Sequence, residues 1–172
     1  MKLFIVRHGE KENDEIKSSL TDLGRQQAQK LSNVLKFALI KRIYSSSNLR
    51  SIQTAEIISR NIGIPLQIIN LVAELPREMF FLPPSEWSAE HRMLMDNLKK
   101  FIAELKEKDE DVVVAMHAGI NRAILSILLN LQLSETVHFT QDVACLNILE
   151  YKEIYGQKRW CVKLLNSTHH LE

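Results

Sequence analysis

The sequence predicts an α/β fold, a three-layer α/β/α sandwich with a mainly parallel central sheet. Three observations carry this expectation. Continuous apolar runs at residues 2–6 and 111–116 have the length and composition of strands buried on both faces of a sheet. Stretches of helical periodicity alternate with the strand-like runs, as parallel strands joined by crossover helices require. Both apolar runs lead into a histidine, His8 and His117, beyond the carboxyl ends of the strands, where ligands collect in such folds.

Taken in order, residues 2–6 form the first strand and leave His8 just past its end. Thr21 is placed to cap a helix with Leu23, Ala28, Leu31, Leu35 and Leu39 along its apolar face, and Gly24 in its first turn lowers helix propensity. Residues 42–46 read as a second strand. Ser47 can cap the helix after it, which carries Leu49, Ile52, Ala55, Ile57 and Ile58 and breaks at 61–65. Residues 66–71 are a third strand or an extended segment. Pro76, Pro83 and Pro84 then disfavour any regular element, so residues at about 74–90 are read as an ordered loop forming a short substrate cover. A helix over 87–108 turns Met93, Leu94, Leu98, Phe101, Ile102 and Leu105 inward. Beyond the strand at 111–116, residues 120–131 read as a buried helix, and 144–151 and 160–166 as sequential strands separated around Gly156.

Residues 1–172 are expected to form a single domain, with 45% hydrophobic residues to build its core. Lys and Arg number 22 against 21 Asp and Glu, a net charge of +1, so no long-range field draws nucleic acid or an acidic membrane. Neither is expected as a partner, and any preference for anions must be local. Cys145 and Cys161 lack the spacing of a zinc site or redox pair, which suits free thiols in a reducing compartment. The N-terminus resembles no secretory signal, and a cytoplasmic location is expected. His91, His138, His169 and His170 show no ligand pairing; no metal and no other cofactor is expected. Oligomeric state leaves no mark in the sequence.

Two histidines beyond the carboxyl ends of strands suit phosphoryl chemistry. An imidazole of ordinary pKa ~6.5 is mostly neutral at neutral pH and can attack phosphorus to give a phosphohistidine. The three outer oxygens of the attacked group need fixed cations and donors. Arg7, beside His8, and Arg50, on the helix after the second strand, offer guanidinium forks matched to two phosphate oxygens, and His117 is a further donor. A leaving alkoxide needs a proton. Glu74 stands at the start of the cover, where a bound phosphate dianion would raise its pKa and suit it to give that proton and later to activate water.

Several blocks together are similar to the histidine phosphatase superfamily, also called phosphoglycerate mutase-like. Phe4-Ile5-Val6-Arg7-His8-Gly9-Glu10 resembles the signature whose arginine binds phosphate and whose histidine is phosphorylated. Leu20 to Ala28 resembles the next block, and the run from Tyr44 through Arg50 to Ala55 resembles the one carrying the second phosphate-binding arginine. Ala73-Glu74-Leu75 falls where the family's acid stands, without the glycine-containing pattern that usually follows. Val114-Ala115-Met116-His117-Ala118-Gly119 resembles the second histidine motif, and Arg122 fits its common pattern. The resemblance implies catalytic His8, Glu74 and His117, with phosphate bound by Arg7, Arg50 and His117. Lys11 stands where the family often has a small hydroxyl residue and Asp14 where many members have asparagine. Either Lys11 offsets that carboxylate, or the alignment slips and Asn13 takes the place. Asn13, Asp14, Arg77 and Ala118 are the candidate substrate contacts. The implied activity is a metal-independent phosphatase acting on a small-molecule phosphate ester. A mutase-type phosphotransferase and a protein phosphohistidine phosphatase are alternatives with the same chemistry, and a non-catalytic phosphate-binding module is the alternative of another class.

Overall fold

A computed structural model of the chain describes residues 1–15, 17–70 and 74–172. Its strands are β1 (Lys2–Arg7), β2 (Arg42–Ser45), β3 (Leu66–Ile68), β4 (Val112–Met116), β5 (Leu146–Ile154) and β6 (Gln157–Ser167). Its helices are α1 (Asp22–Leu35), α2 (Leu49–Ile62), α3 (Ala89–Lys108) and α4 (Ala118–Leu129), with short 3-10 turns at Arg77–Phe80, Pro84–Glu86, Leu133–His138 and His169–Leu171. The sheet runs β3-β2-β4-β1-β5-β6; the first four strands are mutually parallel, and β5 and β6 join antiparallel.

Alternation along the central strands sorts the core into two layers, since successive side chains leave a strand on opposite faces. Leu3, Ile5, Val112, Val114 and Met116 pack with α3 and α4, against Leu98, Ile102, Ile120 and Ile124. Phe4, Val6, Val113 and Ala115 face the other way, onto Leu31 and Leu35 of α1 and Ala55 and Ile58 of α2. The three-layer α/β/α arrangement around a mainly parallel sheet is therefore present as expected.

Several local expectations are corrected. α1 stops at Leu35, so Leu39 lies beyond it and is 80% exposed, while Leu23 sits one residue off the buried stripe of Gly24, Ala28, Leu31 and Leu35. Asn48, not Ser47, is at the N-cap of α2, and that helix buries Arg50, Ser51 and Thr54 beside Ala55 and Ile58 while Leu49 is exposed. Its inner face is partly polar because it meets the site as well as the core. Met95 replaces Met93 on the inner face of α3. β3 is shorter than the run at 66–71, whose last residue, Leu71, lies outside the described residues. α4 begins at Ala118 rather than residue 120, and β5 begins at Leu146 because Ala144 takes a left-handed φ of 56°.

Gly24 has a structural reason that outweighs its poor helix propensity. The loop after β1 crosses the start of α1 so closely that a Cβ on Gly24 would lie 2.1 Å from the carbonyl oxygen of Glu10, and one on Gly9 2.4 Å from that of Gly24. Thr21 ties the same crossing together: its amide donates to the Glu10 carbonyl at 3.0 Å, its hydroxyl to the Glu10 carboxylate at 2.7 Å, and it accepts from the Gly24 amide. Propensity alone would make Gly24→Ala stabilising by up to ~1 kcal/mol. The backbone clash reverses the sign, and we expect a loss of about 1–3 kcal/mol in denaturant unfolding; a stabilised Gly24→Ala variant would contradict this close approach.

Candidate active site

Strand register assembles the site. β1 and β4 are parallel neighbours with Arg7 opposite Met116, so the next residue of each strand, His8 and His117, emerges at the same level. The rings stand with centroids 5.2 Å apart, tilted by 57°. β2 pairs with the other side of β4, with Ser45 opposite Ala115, and thereby delivers Ser46 to His117. The His8 backbone is held from both sides, its amide donating to the Met116 carbonyl and its carbonyl accepting from the Ala144 amide, each at 3.1 Å.

The tautomer of His8 follows from its partners. A carbonyl can only accept, so the 2.7 Å contact of Nδ1 with the Gly9 carbonyl makes Nδ1 the protonated nitrogen. Nε2 then carries the lone pair, and the Arg50 Nε–H donates to it at 3.2 Å. Burial pushes the His8 pKa down to about 3, with Arg50 and Arg7 adding to the effect and the Gly9 carbonyl opposing it. His8 is thus a neutral imidazole with the lone pair of Nε2 directed at a cation.

His117 is arranged with the opposite polarity. Its Nε2 meets the hydroxyls of Ser46 at 2.8 Å and Ser51 at 3.3 Å, leaving buried Nδ1 without a hydrogen-bond partner among the described residues. With the Ser46 hydroxyl donating to Nε2, and the Ser51 hydroxyl also placed to donate to the Met116 carbonyl at 3.5 Å, Nδ1 carries hydrogen and is a donor waiting for an acceptor. Burial, followed by the neighbouring His8 and Arg50, lowers its pKa to about 2. His117 is also the N-cap residue of α4 and makes no side-chain cap bond, so the positive end of that helix opens onto the same place.

Arg7 and Arg50 supply the cations. The Arg7 Nη1 donates to the Gln141 carbonyl at 2.5 Å, while its buried Nε has no partner among the described residues. Gln141 is fixed by reciprocal amide bonds with buried Asn147, at 2.9 and 3.0 Å, and by Asn121. Arg50, fully buried by its side chain, spans the site: beyond His8 it reaches the Glu15 carbonyl at 3.4 Å and Glu74 at 3.5 Å. Thr54 holds its backbone to the histidine loop, donating to the Arg50 carbonyl and accepting from the Gly9 amide. Burial lowers both guanidinium pKa values and Glu74 opposes that for each, yet guanidinium keeps its proton in proteins.

Outward from this centre lies a cleft of about 480 Å³. Arg7, Glu74, Arg77, Ala118 and Arg122 line it, with Leu75, Phe80 and Phe81 as its apolar wall. Asp14 borders it and pairs with Lys11 at 2.7 Å, so the lysine does offset that carboxylate. Asn13 does not line the cleft; its side-chain oxygen accepts from the Glu15 amide within its own turn. The segment at 74–90 is built from the two 3-10 turns, anchored by buried Met79 and Phe80 and by the Trp87 indole donating to the Leu82 carbonyl. Glu74 is described and sits at the mouth, 64% exposed, whereas Ala73 before it lies outside the described residues. Arg92 turns away to the Ser85 carbonyl.

Ser46, Ser51, Thr54 and Gln141 were not among the residues expected at the site. The serines and threonine stand in the Arg50 block, but nothing in the sequence ties Gln141 to Arg7. Cys145, buried behind Arg7 with its thiol pushed up to about 11 by burial, is a protonated packing residue.

Two buried neutral histidines make stability depend on pH with a definite sign. Between pH ~6.5 and about 3 the unfolded chain binds a proton at His8 that the folded chain refuses, and His117 behaves likewise down to about 2. Stability from both is complete above the unfolded value and falls as pH drops through this window, on the order of 1.4 kcal/mol per pH unit for each. Denaturant unfolding between about pH 7 and about pH 5 should show this loss, reduced in His8→Asn, and side-chain nitrogen NMR should find both rings neutral throughout. A ring titrating near its ordinary value would contradict the assignment.

Comparison with known proteins places the chain in a family and a fold. Residues 3–81 and 76–168 match the histidine phosphatase superfamily (branch 1). The chain is 25% identical to the adenosylcobalamin/alpha-ribazole phosphatase of Escherichia coli (strain K12), covering 97% of this chain and 96% of that protein. Its fold is similar to mycobacterial glucosyl-3-phosphoglycerate phosphatase, with a TM-score of 0.76, 19% identity and coverage of 96% and 98%. It is also similar to Entamoeba histolytica phosphoserine phosphatase in complex with 3-phosphoglyceric acid, with a TM-score of 0.77, 20% identity and 99% of both chains covered. The motifs, the paired strand ends and the family match agree, and the chain belongs to branch 1 of the histidine phosphatase superfamily.

Proposed function

We propose that the protein hydrolyses phosphomonoesters of small metabolites through a phosphohistidine on His8, without a metal ion. The observation that carries this reading is the state of His8: neutral, with Nδ1–H tied to the Gly9 carbonyl and the Nε2 lone pair facing the Arg50 guanidinium. A phosphoryl group entering between them takes over the arginine's hydrogen bond and meets the lone pair. Nε2 forms the bond to phosphorus while the bond from phosphorus to the ester oxygen breaks. Arg7, Arg50 and the Nδ1–H of His117 hold the three outer oxygens, and two of these groups have a buried N–H without a partner among the described residues, ready for an acceptor.

Glu74 then gives a proton to the leaving oxygen and, once the alcohol has left, takes one from the water that attacks the phosphohistidine. Its place opposite Arg50 at the mouth supports that role, because Arg50 links it to the nucleophile. Arg77, Asp14 with Lys11, and Ala118 stand where the ester's organic part would lie. The cover rests on Leu75 and Phe80 beside α4; its short turns and exposed Glu74 support release to water over retention of the intermediate for transfer. The relatives named above, phosphatases of small phosphorylated molecules, support the substrate class.

Hydrolysis of an aryl phosphate with chelator present tests the reading, and turnover should persist; abolition by the chelator would contradict a metal-free reaction. Arg50→Lys should lose ~100-fold or more in turnover, because an ammonium keeps the charge but not the planar fork, and near-normal kinetics would remove Arg50 from the reaction. Glu74→Gln should slow phosphorylation by an alkyl phosphate far more than by a nitrophenyl phosphate, whose leaving group departs unaided. Equal, small effects on both would transfer the acid role to Glu78 or Glu86.

A further inference from the structure

A second cleft, of about 510 Å³, lies at the far end of α4 from the histidines, lined by the last turn of that helix, by α3 and by the β5–β6 hairpin. With 12 residues in α4, the two places are about 18 Å apart along its axis. No role in phosphoryl transfer reaches that far.

The composition of this cleft is one-sided. Lys99, Lys106, Lys158 and Arg159 line it, and no carboxylate does so among the described residues. Its floor is aromatic: Tyr151 and Trp160 are paired across β5 and β6 with ring centroids 5.1 Å apart. Lys106 from α3 and Lys158 from β6 both stand over the Tyr151 ring, at 4.7 and 5.9 Å from its centroid, and neither forms a salt bridge among the described residues. Lys99 is engaged by Asp96 at 3.4 Å, and Arg159 donates to Gln157. The ring quadrupole attracts each lysine, but gathering two on one ring sets like charges against each other. The negative C-terminal end of α4 accounts for a nearby cation, not for four. An anion between the lysines relieves the repulsion, and an apolar ring system attached to it covers what remains open of the half-buried aromatic pair.

We propose that this cleft binds a nucleotide, its base against Trp160 and Tyr151 and its phosphates between Lys106 and Lys158. The volume suits one small ligand rather than a polymer. Stacking on an aromatic pair tolerates any base, so selectivity falls on the combination of ring and phosphate.

The test is calorimetric titration of the full chain with ADP, carried out on the His8→Ala protein so that the ligand survives. Saturable binding is expected in this background. Lys106→Ala with Lys158→Ala should weaken it at least ~10-fold, Trp160→Leu roughly 10-fold or more, and the lysine pair, in the otherwise unaltered protein, should leave aryl phosphate hydrolysis unchanged. Absence of saturable binding would overturn the proposal. So would binding insensitive to the lysine pair, or binding displaced by vanadate at the catalytic site. Pyrophosphate binding as tightly as ADP would reduce the cleft to a simple anion patch and reject the nucleotide, as would binding of poly-glutamate in preference to ADP.

Discussion

The parallel register of β1 against β4 is the constraint on which the rest depends. Both strands are buried on both faces, so a slip of one residue would turn every core side chain to the wrong layer. Fixing Arg7 opposite Met116 therefore fixes His8 beside His117, and the packing of the sheet becomes the positioning device of the site. β2 on the other side of β4 adds Ser46, and the segment entering β5 adds the Gln141 carbonyl that holds Arg7. Much of the energy that orients these groups comes from the core, not from the hydrogen bonds that finish the geometry.

Electrostatics then divides labour among groups of similar type. Two imidazoles beyond the carboxyl ends of neighbouring strands are both kept neutral by burial, but their partners give them opposite orientations. The Gly9 carbonyl takes the hydrogen of one and frees an acceptor nitrogen; two serine hydroxyls occupy the other and free a donor nitrogen. An acceptor nitrogen and a donor nitrogen result from the same residue type. Arg50 holds charge in a place where burial opposes it, with Glu74 as its partly exposed counterion.

The layered fold was legible because periodicity reports burial, and the strand runs ending in His8 and His117 were unambiguous in that respect. The helix faces are less legible. Gly24 and Ser32 lie on the buried stripe of α1 while Leu23 does not, because close backbone packing and local hydrogen bonding decide those positions rather than side-chain hydrophobicity. α2 departs from simple periodicity for a related reason: one face serves core and site together, so Arg50, Ser51 and Thr54 are buried while Leu49 is not. Arg7, His8, Arg50 and His117 were recognisable from motifs and are brought together. The Gln141–Asn147–Asn121 network behind Arg7 was not, since amide pairs between distant segments leave no local pattern.

The most direct measurement on the central claim is the chemical state of His8 during turnover. Protein quenched within the first turnover of an aryl phosphate should carry phosphate that is labile to acid and stable to base, on the peptide containing His8, with a matching burst of phenolate. No such adduct should form in His8→Ala. Phosphate on another residue, or turnover undiminished in His8→Ala, would contradict the account.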